Sequence, residues 1–204
     1  MTVLGNSSTV KFATGIILAG GKSSRMGFDK QFLEVNQKRL MNIVVEDLEE
    51  EFDEIIIVTN KPEEYIGFNH KIITDKIVGM GPLSGIHAGL TESKSKYAFV
   101  IGCDMPNINI DYIRYMKESI NSDDVEACIT KHKDGIEPLY GFYSKNITGK
   151  IEKYLLENKR AIYRFLKTLK VNYIEEDKAK DYTNSLDMFL NLNNKEDLNK
   201  YLNN

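Results

Sequence analysis

The sequence predicts an α/β fold built on a doubly wound, mostly parallel sheet. Three observations carry this. Short, wholly apolar runs such as "TGIILAG" and "YAFVIG" are the signature of strands buried on both faces. Between them lie longer runs whose apolar residues recur at helical spacing. The two kinds alternate along the chain, and strand–helix–strand alternation calls for parallel strands joined by crossovers.

The elements follow in order. "TGIILAG" reads as the first strand, ending in glycine. "RLMNIVVEDLEEEF" reads as a helix, with Leu40, Ile43, Val44, Leu48 and Phe52 at helical spacing. "DEIIIVTN" and "HKIITD" are strands. "GPLSGIHAGLTES" is a loop entering a helix, with Pro82 near its start. "YAFVIGCDMP" is a buried strand stopped by Pro106, and "DYIRYMKESI" a helix with Asp111 as its N-cap. "VEACITK" and "EPLYGFYS" are two more strands, and "GKIEKYLLENK" and "AIYRFLKTL" two more helices. "NSLDMFLNLNNKEDLNKYL" runs strand-like into a last helix. Residues 1–13 read as a loosely attached leader, and residues 14–204 as a single domain.

Length and composition agree. The chain has 204 residues, 42% hydrophobic and 28% charged, enough for one α/β core. Its net charge of -3 gives no global attraction to nucleic acid. No apolar run approaches the roughly 18 residues of a membrane span, and the first residues lack the apolar stretch of a signal peptide. Cys103 and Cys128 fit no metal or redox spacing and read as buried thiols of a cytoplasmic protein.

In a doubly wound sheet, ligands bind beyond the carboxyl ends of the strands. The residues there are glycine, Lys, Arg, Asn and Asp. In "LAGGKSSRMGFDK", Gly20 and Gly21 admit a close anion, and Lys22, Arg25 and Lys30 supply positive charge. The spacing is neither a P-loop nor a dinucleotide fingerprint, so this is a different triphosphate loop or simply a turn. Asp104 in "IGCDMP" stands where a carboxylate could hold Mg²⁺ with substrate phosphates, or could cap a turn. Asp75 in "IITD" has the same placement. Gly79, Gly81, Gly85 and Gly89 around Pro82 either open backbone to a flat base or serve tight helix packing. His70, His87 and His132 show no metal-ligand spacing.

"LAGGKSSRMGFDK" resembles the LAGGxSxRMGxDK signature of the molybdenum cofactor guanylyltransferases, the MobA type. "VTN", "ITD", "GPLSGI", "GCDMP", "EPLYG" and "NLNN" follow in that family's order, so the resemblance spans nearly the whole chain. It implies a Rossmann-like, GT-A-like nucleotidyltransferase domain that moves GMP from GTP to the phosphate of molybdopterin. It also implies the residues. Leu18, Ala19, Gly20 and Gly21 would meet GTP, Arg25 and Lys30 its phosphates, and Asn60 and Asp75 its guanosine. Gly81, Pro82, Leu83 and Gly85 would frame base and ribose, and Asp104 would bind Mg²⁺ near the α-phosphate. Glu137, Pro138 and Leu139 would lie by the pterin and Lys159 and Arg160 toward its phosphate, while Asn191 and Asn193 would lie on the molybdopterin side or the side of a second metal. Molybdoenzyme maturation proteins would be partners, with no role for nucleic acid or membrane. The same fold also serves cytidylyltransferases and sugar-phosphate or methylerythritol-phosphate nucleotidyltransferases. A silent accessory protein would be expected to lose Arg25, Lys30 or Asp104, and all three are present.

Overall fold

A computed structural model describes residues 10–20, 34–35, 38–183, 185–193, 197 and 201. Its centre is the strand β1, Thr14–Leu18, buried along its whole length. It pairs in parallel with β4 (Glu54–Val58) on one side and β6 (Tyr97–Gly102) on the other. β5 (Lys71–Ile73) extends the sheet beyond β4, again in parallel. β8 (Gly135–Ser144), β7 (Ala127–His132) and β9 (Val171–Glu175) complete the order β5-β4-β1-β6-β8-β7-β9. A separate antiparallel ribbon joins β2 (Glu34–Val35) to β3 (Lys38–Arg39), a feature the sequence reading did not anticipate.

The period of two along each central strand divides the core into two layers. Ile17, Ile55, Ile57, Phe99 and Ile101 face α1 (Leu40–Glu49) and α3 (Ile110–Ser119). Ile16, Leu18, Ile56, Val58, Ala98 and Val100 face α2 (Pro82–Glu92) and α4 (Thr148–Leu156). α2 lies close on β1, its two glycines seated on the Ile16 and Leu18 side chains. A Cβ on Gly89 would stand 2.6 Å from Ile16 Cγ2, and one on Gly85 would stand 3.0 Å from Leu18 Cδ2. Those two glycines are packing residues inside a helix, not part of an open loop. Gly79 and Gly81 do occupy the turn before it, both with φ near +79°.

The structure corrects the sequence reading in four places. β8 runs antiparallel to both neighbours, because two residues at the β7–β8 turn suffice for a hairpin but not for a crossover. α3 is capped by Asn109, whose side chain accepts from Tyr112 N at 2.9 Å, and Asp111 falls in its first turn. Residues 185–192 form no strand. They make a 3-10 turn at Asp187–Phe189, and Met188, Phe189 and Leu192 fill the core without joining the ladder. The strand is β9 instead, an edge strand whose half-exposed residues blur the apolar pattern.

No disulfide joins the two cysteines, and Cys128 is fully buried whereas Cys103 is half-buried. Of the leader, residues 10–13 are described. Phe12 lies 5.5 Å from the rings of both Tyr97 and Phe142. The short α5 (Ile162–Leu166) and α6 (Glu176–Ala179) flank β9. Among the described residues no helix is long and apolar enough to cross a membrane.

The α2 seam yields a stability test. Gly89→Ala gains about 1 kcal/mol of helix propensity. It also forces a methyl into Ile16, an overpacking that costs about 1–3 kcal/mol. At a 2.6 Å approach the clash should win, so thermal unfolding should show a lower Tm. A higher Tm would mean that α2 can lift off β1 freely.

Candidate active site at the strand ends

Six strands, β5, β4, β1, β6, β7 and β9, point the same way, so their carboxyl ends share one edge of the sheet with the start of β8. The edge has two halves. β5, β4 and β1 present Asp75, Asn60 and Gly20. β8, β7 and β9 present Glu137, His132 and Glu175. Asp104, after β6, stands between them.

On the first half, Leu18 and Ala19 are buried and their backbone is largely committed: Ala19 N donates to Val58 O at 2.8 Å, and Leu18 O accepts from Cys103 N at 3.1 Å. These bonds pin β1 to both neighbours where the chain leaves the sheet. Gly20 follows, and its Cα faces the Asn60 amide, with a hypothetical Cβ 3.6 Å from Asn60 Nδ2. Asn60 Nδ2 donates to Asp75 Oδ2 at 3.2 Å. Asp75 Oδ1 would lie 3.7 Å from a Cβ on Gly85, so the carboxylate reaches over the first turns of α2. Burial pushes the Asp75 carboxyl above its ordinary range, and the Asn60 hydrogen bond opposes that in part.

α2 starts at Gly81 with no side-chain cap and with Pro82 at its first position. Helix N-terminal N–H groups carry partial positive charge and lack intrahelical partners. Gly81 and Pro82 are exposed at the edge, whereas the Leu83 side chain is wholly inside the core. Any contact of Leu83 with a ligand is therefore a backbone contact. The Ser84 hydroxyl donates to Ile77 O and ties the preceding loop to the helix.

Asp104 is held from two directions. Its carboxylate folds back over Gly102, where a Cβ would stand 2.8 Å from Oδ1. Its carbonyl accepts from Leu192 N at 2.8 Å. The C-terminal segment is thus bound to the loop after β6, and the Asn107 side chain reinforces it by donating to Asp187 O at 3.0 Å. Asn191 and Asn193 flank Leu192. Gly102 was not singled out in the sequence; a glycine two residues before a strand-end carboxylate is the signal that could have found it. Among the described residues no three His, Cys, Asp or Glu gather as a ready metal cage. A single carboxylate seated on a glycine fits Mg²⁺, which takes one or two carboxylates and completes its shell with phosphates and water.

The expected site residues therefore divide. Leu18, Ala19, Gly20, Asn60, Asp75, Gly81, Pro82, Leu83 and Asp104 lie along the strand-end edge. Gly21, Arg25 and Lys30 lie outside the described residues. Glu137, Pro138 and Leu139 open β8, which pairs Tyr140 with Ile101 beside Asp104's loop. Lys159 and Arg160 follow α4, on the opposite face from Phe189 and Tyr140, and Lys159 is paired with Glu157.

Known proteins match this chain closely. The profile of the MobA-like NTP transferase domain matches residues 15–173. A protein of Peptoclostridium acidaminophilum named probable molybdenum cofactor guanylyltransferase is 49% identical over 195 residues, covering 93% of this chain and 88% of that one. The molybdenum cofactor guanylyltransferase of Syntrophotalea carbinolica is 46% identical over 192 residues, covering 94% and 91%. Among solved structures, molybdopterin-guanine dinucleotide biosynthesis protein A from Archaeoglobus fulgidus superposes with a TM-score of 0.81 at 26% identity, covering 92% and 95%.

The raised carboxyl of Asp75 makes a prediction about stability. The folded chain holds that proton more tightly than the unfolded chain, so stability falls as pH rises from the ordinary carboxylate value of about 4 through the raised folded value. Asp75→Asn should therefore raise Tm over the parent at about pH 7, and the gain should vanish near pH 4. A gain independent of pH would assign it to something other than the half-buried charge.

Proposed function

This chain belongs to the MobA-like NTP transferase family, and we propose that it transfers GMP from GTP to the terminal phosphate of molybdopterin. An ionised oxygen of the acceptor phosphate attacks the α-phosphorus. The bond from that phosphorus to the bridging oxygen breaks, and pyrophosphate leaves with the electron pair. The guanine dinucleotide form of the cofactor is the product. The attacking oxygen already lacks its proton near neutral pH, so no general base is needed.

The observation that carries this reading is the place of Asp104. It stands at the middle of the strand-end edge, seated on Gly102 and tied to Leu192, with the nucleotide on one side and room for the acceptor on the other. Gly20 and the uncapped start of α2 offer N–H groups to the phosphates and ribose. Asn60 and Asp75 turn an amide and a carboxylate toward the guanine half. A half-buried carboxylate suits the N–H edge of guanine, since it can accept from two parallel donors. Arg25 and Lys30 are assigned to the triphosphate. Like charges oppose the approach of one phosphate to three others, and cations aimed at the leaving pyrophosphate offset that repulsion. Asp104 would hold Mg²⁺, which when bound supplies further charge neutralisation at the α- and β-phosphates. The same reading places the enzyme in the cytoplasm, handing its product to molybdoenzyme maturation proteins.

Transfer is tested with GTP labelled at the α-phosphate, purified molybdopterin and Mg²⁺, following label into the dinucleotide and release of pyrophosphate. Asp104→Asn should lower kcat by about a hundredfold or more, as loss of one electrostatic stabiliser does, with Tm little changed. A variant that turns over like the parent would remove Asp104 from the metal role. Preference for CTP over GTP would replace the guanylyl reading.

A further inference from the structure

One stretch of the chain reverses its overall charge. Residues 148–170 carry seven Lys or Arg against two Glu, in a chain whose net charge is -3. The stretch forms α4, a turn at Asn158 with φ 56°, and α5. The two helices make one elbow. Tyr154 OH donates to Ala161 O at 3.3 Å, and the Tyr154 ring meets that of Phe165 at 5.2 Å between centres. Ile151, Leu155, Phe165 and Leu166 face the core. Lys153, Leu156, Tyr163, Arg164 and Lys167 are exposed.

This face differs from an ordinary solvated one. Lys150, Lys159 and Lys170 hold Glu126, Glu157 and Asp124, but Lys153, Arg164 and Lys167 pair with no carboxylate among the described residues. Two of those unpaired cations flank one aromatic ring. The Arg164 guanidinium lies 5.9 Å and Lys167 Nζ 6.0 Å from the centre of Tyr163, and Arg164 Nε donates to Tyr163 Oη at 3.1 Å. Apolar surface is left among the charges as well. Leu156 is 71% exposed and Tyr163 48%, and Leu156 stands one turn from Lys153 on α4. Exposed Tyr and Arg beside an apolar side chain are what protein interfaces favour at their centres. The elbow also has a definite place. Ser144 pairs with Tyr97 and Val171 with Ala127, so β8 ends and β9 begins at the sheet edge opposite Asp104. The chain between them rises from that edge and returns to it, and the turn of the elbow points toward the strand ends. Lys159 and Arg160, at the turn, are the residues the family resemblance directs to the acceptor's phosphate, and they are no part of this face.

The chemistry of the face selects its occupant. Unpaired cations call for anions. Glu152 and Glu157 stand exposed on the same helix, and outside this stretch acidic residues outnumber basic ones. A flat anionic membrane or a nucleic-acid duplex would meet those carboxylates too and be repelled. Phosphate also offers nothing to Leu156. A protein segment can set carboxylates against Lys153, Arg164 and Lys167 and an apolar side chain against Leu156 or Tyr163. We propose that the α4–α5 elbow is the docking face for a partner protein that presents an acidic segment with apolar residues among its carboxylates. Such a partner would stand beside the strand-end edge without entering it. The proposal goes beyond the guanylyl-transfer reading and does not depend on it.

Fluorescence anisotropy tests it with two labelled peptides, one of glutamates alone and one of glutamates with leucines among them. The parent protein should bind the leucine-bearing peptide more tightly. Arg164→Glu with Lys167→Glu should weaken that binding about tenfold or more, since charge reversal sets like charges face to face. Leu156→Ser with Tyr163→Ser should erase the preference for leucine and leave a salt-sensitive affinity for both peptides. Lys178→Glu with Lys180→Glu makes the same change of net charge on α6, which packs on the other core layer, and should leave binding unmoved. Should the reversal at the elbow fail to fold, Arg164→Gln with Lys167→Gln should give a smaller loss in the same direction. No binding by the parent, no preference for leucine, or equal losses from α6 and from the elbow would overturn the proposal. So would tighter binding of the parent to phosphatidylglycerol vesicles or duplex DNA that the elbow variants abolish.

Discussion

The close packing of α2 on β1 is the constraint from which the half of the site proposed for the nucleotide follows. Gly85 and Gly89, one helical turn apart, remove the side chains that would hold the helix off the sheet. Leu18 and Ile16 occupy the space those side chains would have taken. The helix start at Gly81 is thereby set beside the ends of β1, β4 and β5. Asp75 reaches over the same helix, Asn60 bonds Asp75, and Gly20 lies against Asn60. Each member is placed by its neighbour, and the chain of contacts begins at the seam.

Asp104 has a different support. It depends on the missing Cβ of Gly102 and on a backbone bond from Leu192, nearly ninety residues later. That bond joins the central loop to a segment which also carries Phe189, the ring under His132. The middle and the far half of the edge are therefore built on one C-terminal strap. The half proposed for the nucleotide and the half proposed for the acceptor rest on separate scaffolds and meet at one carboxylate. Such a division suits an enzyme that must bring two anions together, since each partner can be bound before the reacting phosphates face each other.

Much of this was legible in the sequence, and the exceptions have physical causes. Fully apolar runs betrayed the central strands because parallel strands are covered on both faces. The direction of β8 was not legible, since a strand's composition does not say which way it runs; only the short turn after His132 does. β9 was missed because an edge strand needs little apolar surface, and residues 185–192 misled because core-filling residues need not sit in a ladder. Asp104, Asp75 and Asn60 could be found as polar residues just past apolar runs. Gly102, and the packing role of Gly85 and Gly89, needed the neighbours of a hypothetical Cβ. Arg25 and Lys30 rest on the family pattern alone, as they lie outside the described residues.

The most direct test of this account is the GTP affinity of Gly85→Ala, measured by calorimetry against the parent protein. The added methyl would press on Leu18 and face Asp75 without removing any group assigned to the nucleotide. If the seam places the site, affinity should fall by about tenfold or more, as small misplacements of binding groups do, while the variant stays folded. A folded Gly85→Ala protein that binds GTP as tightly as the parent would contradict the account.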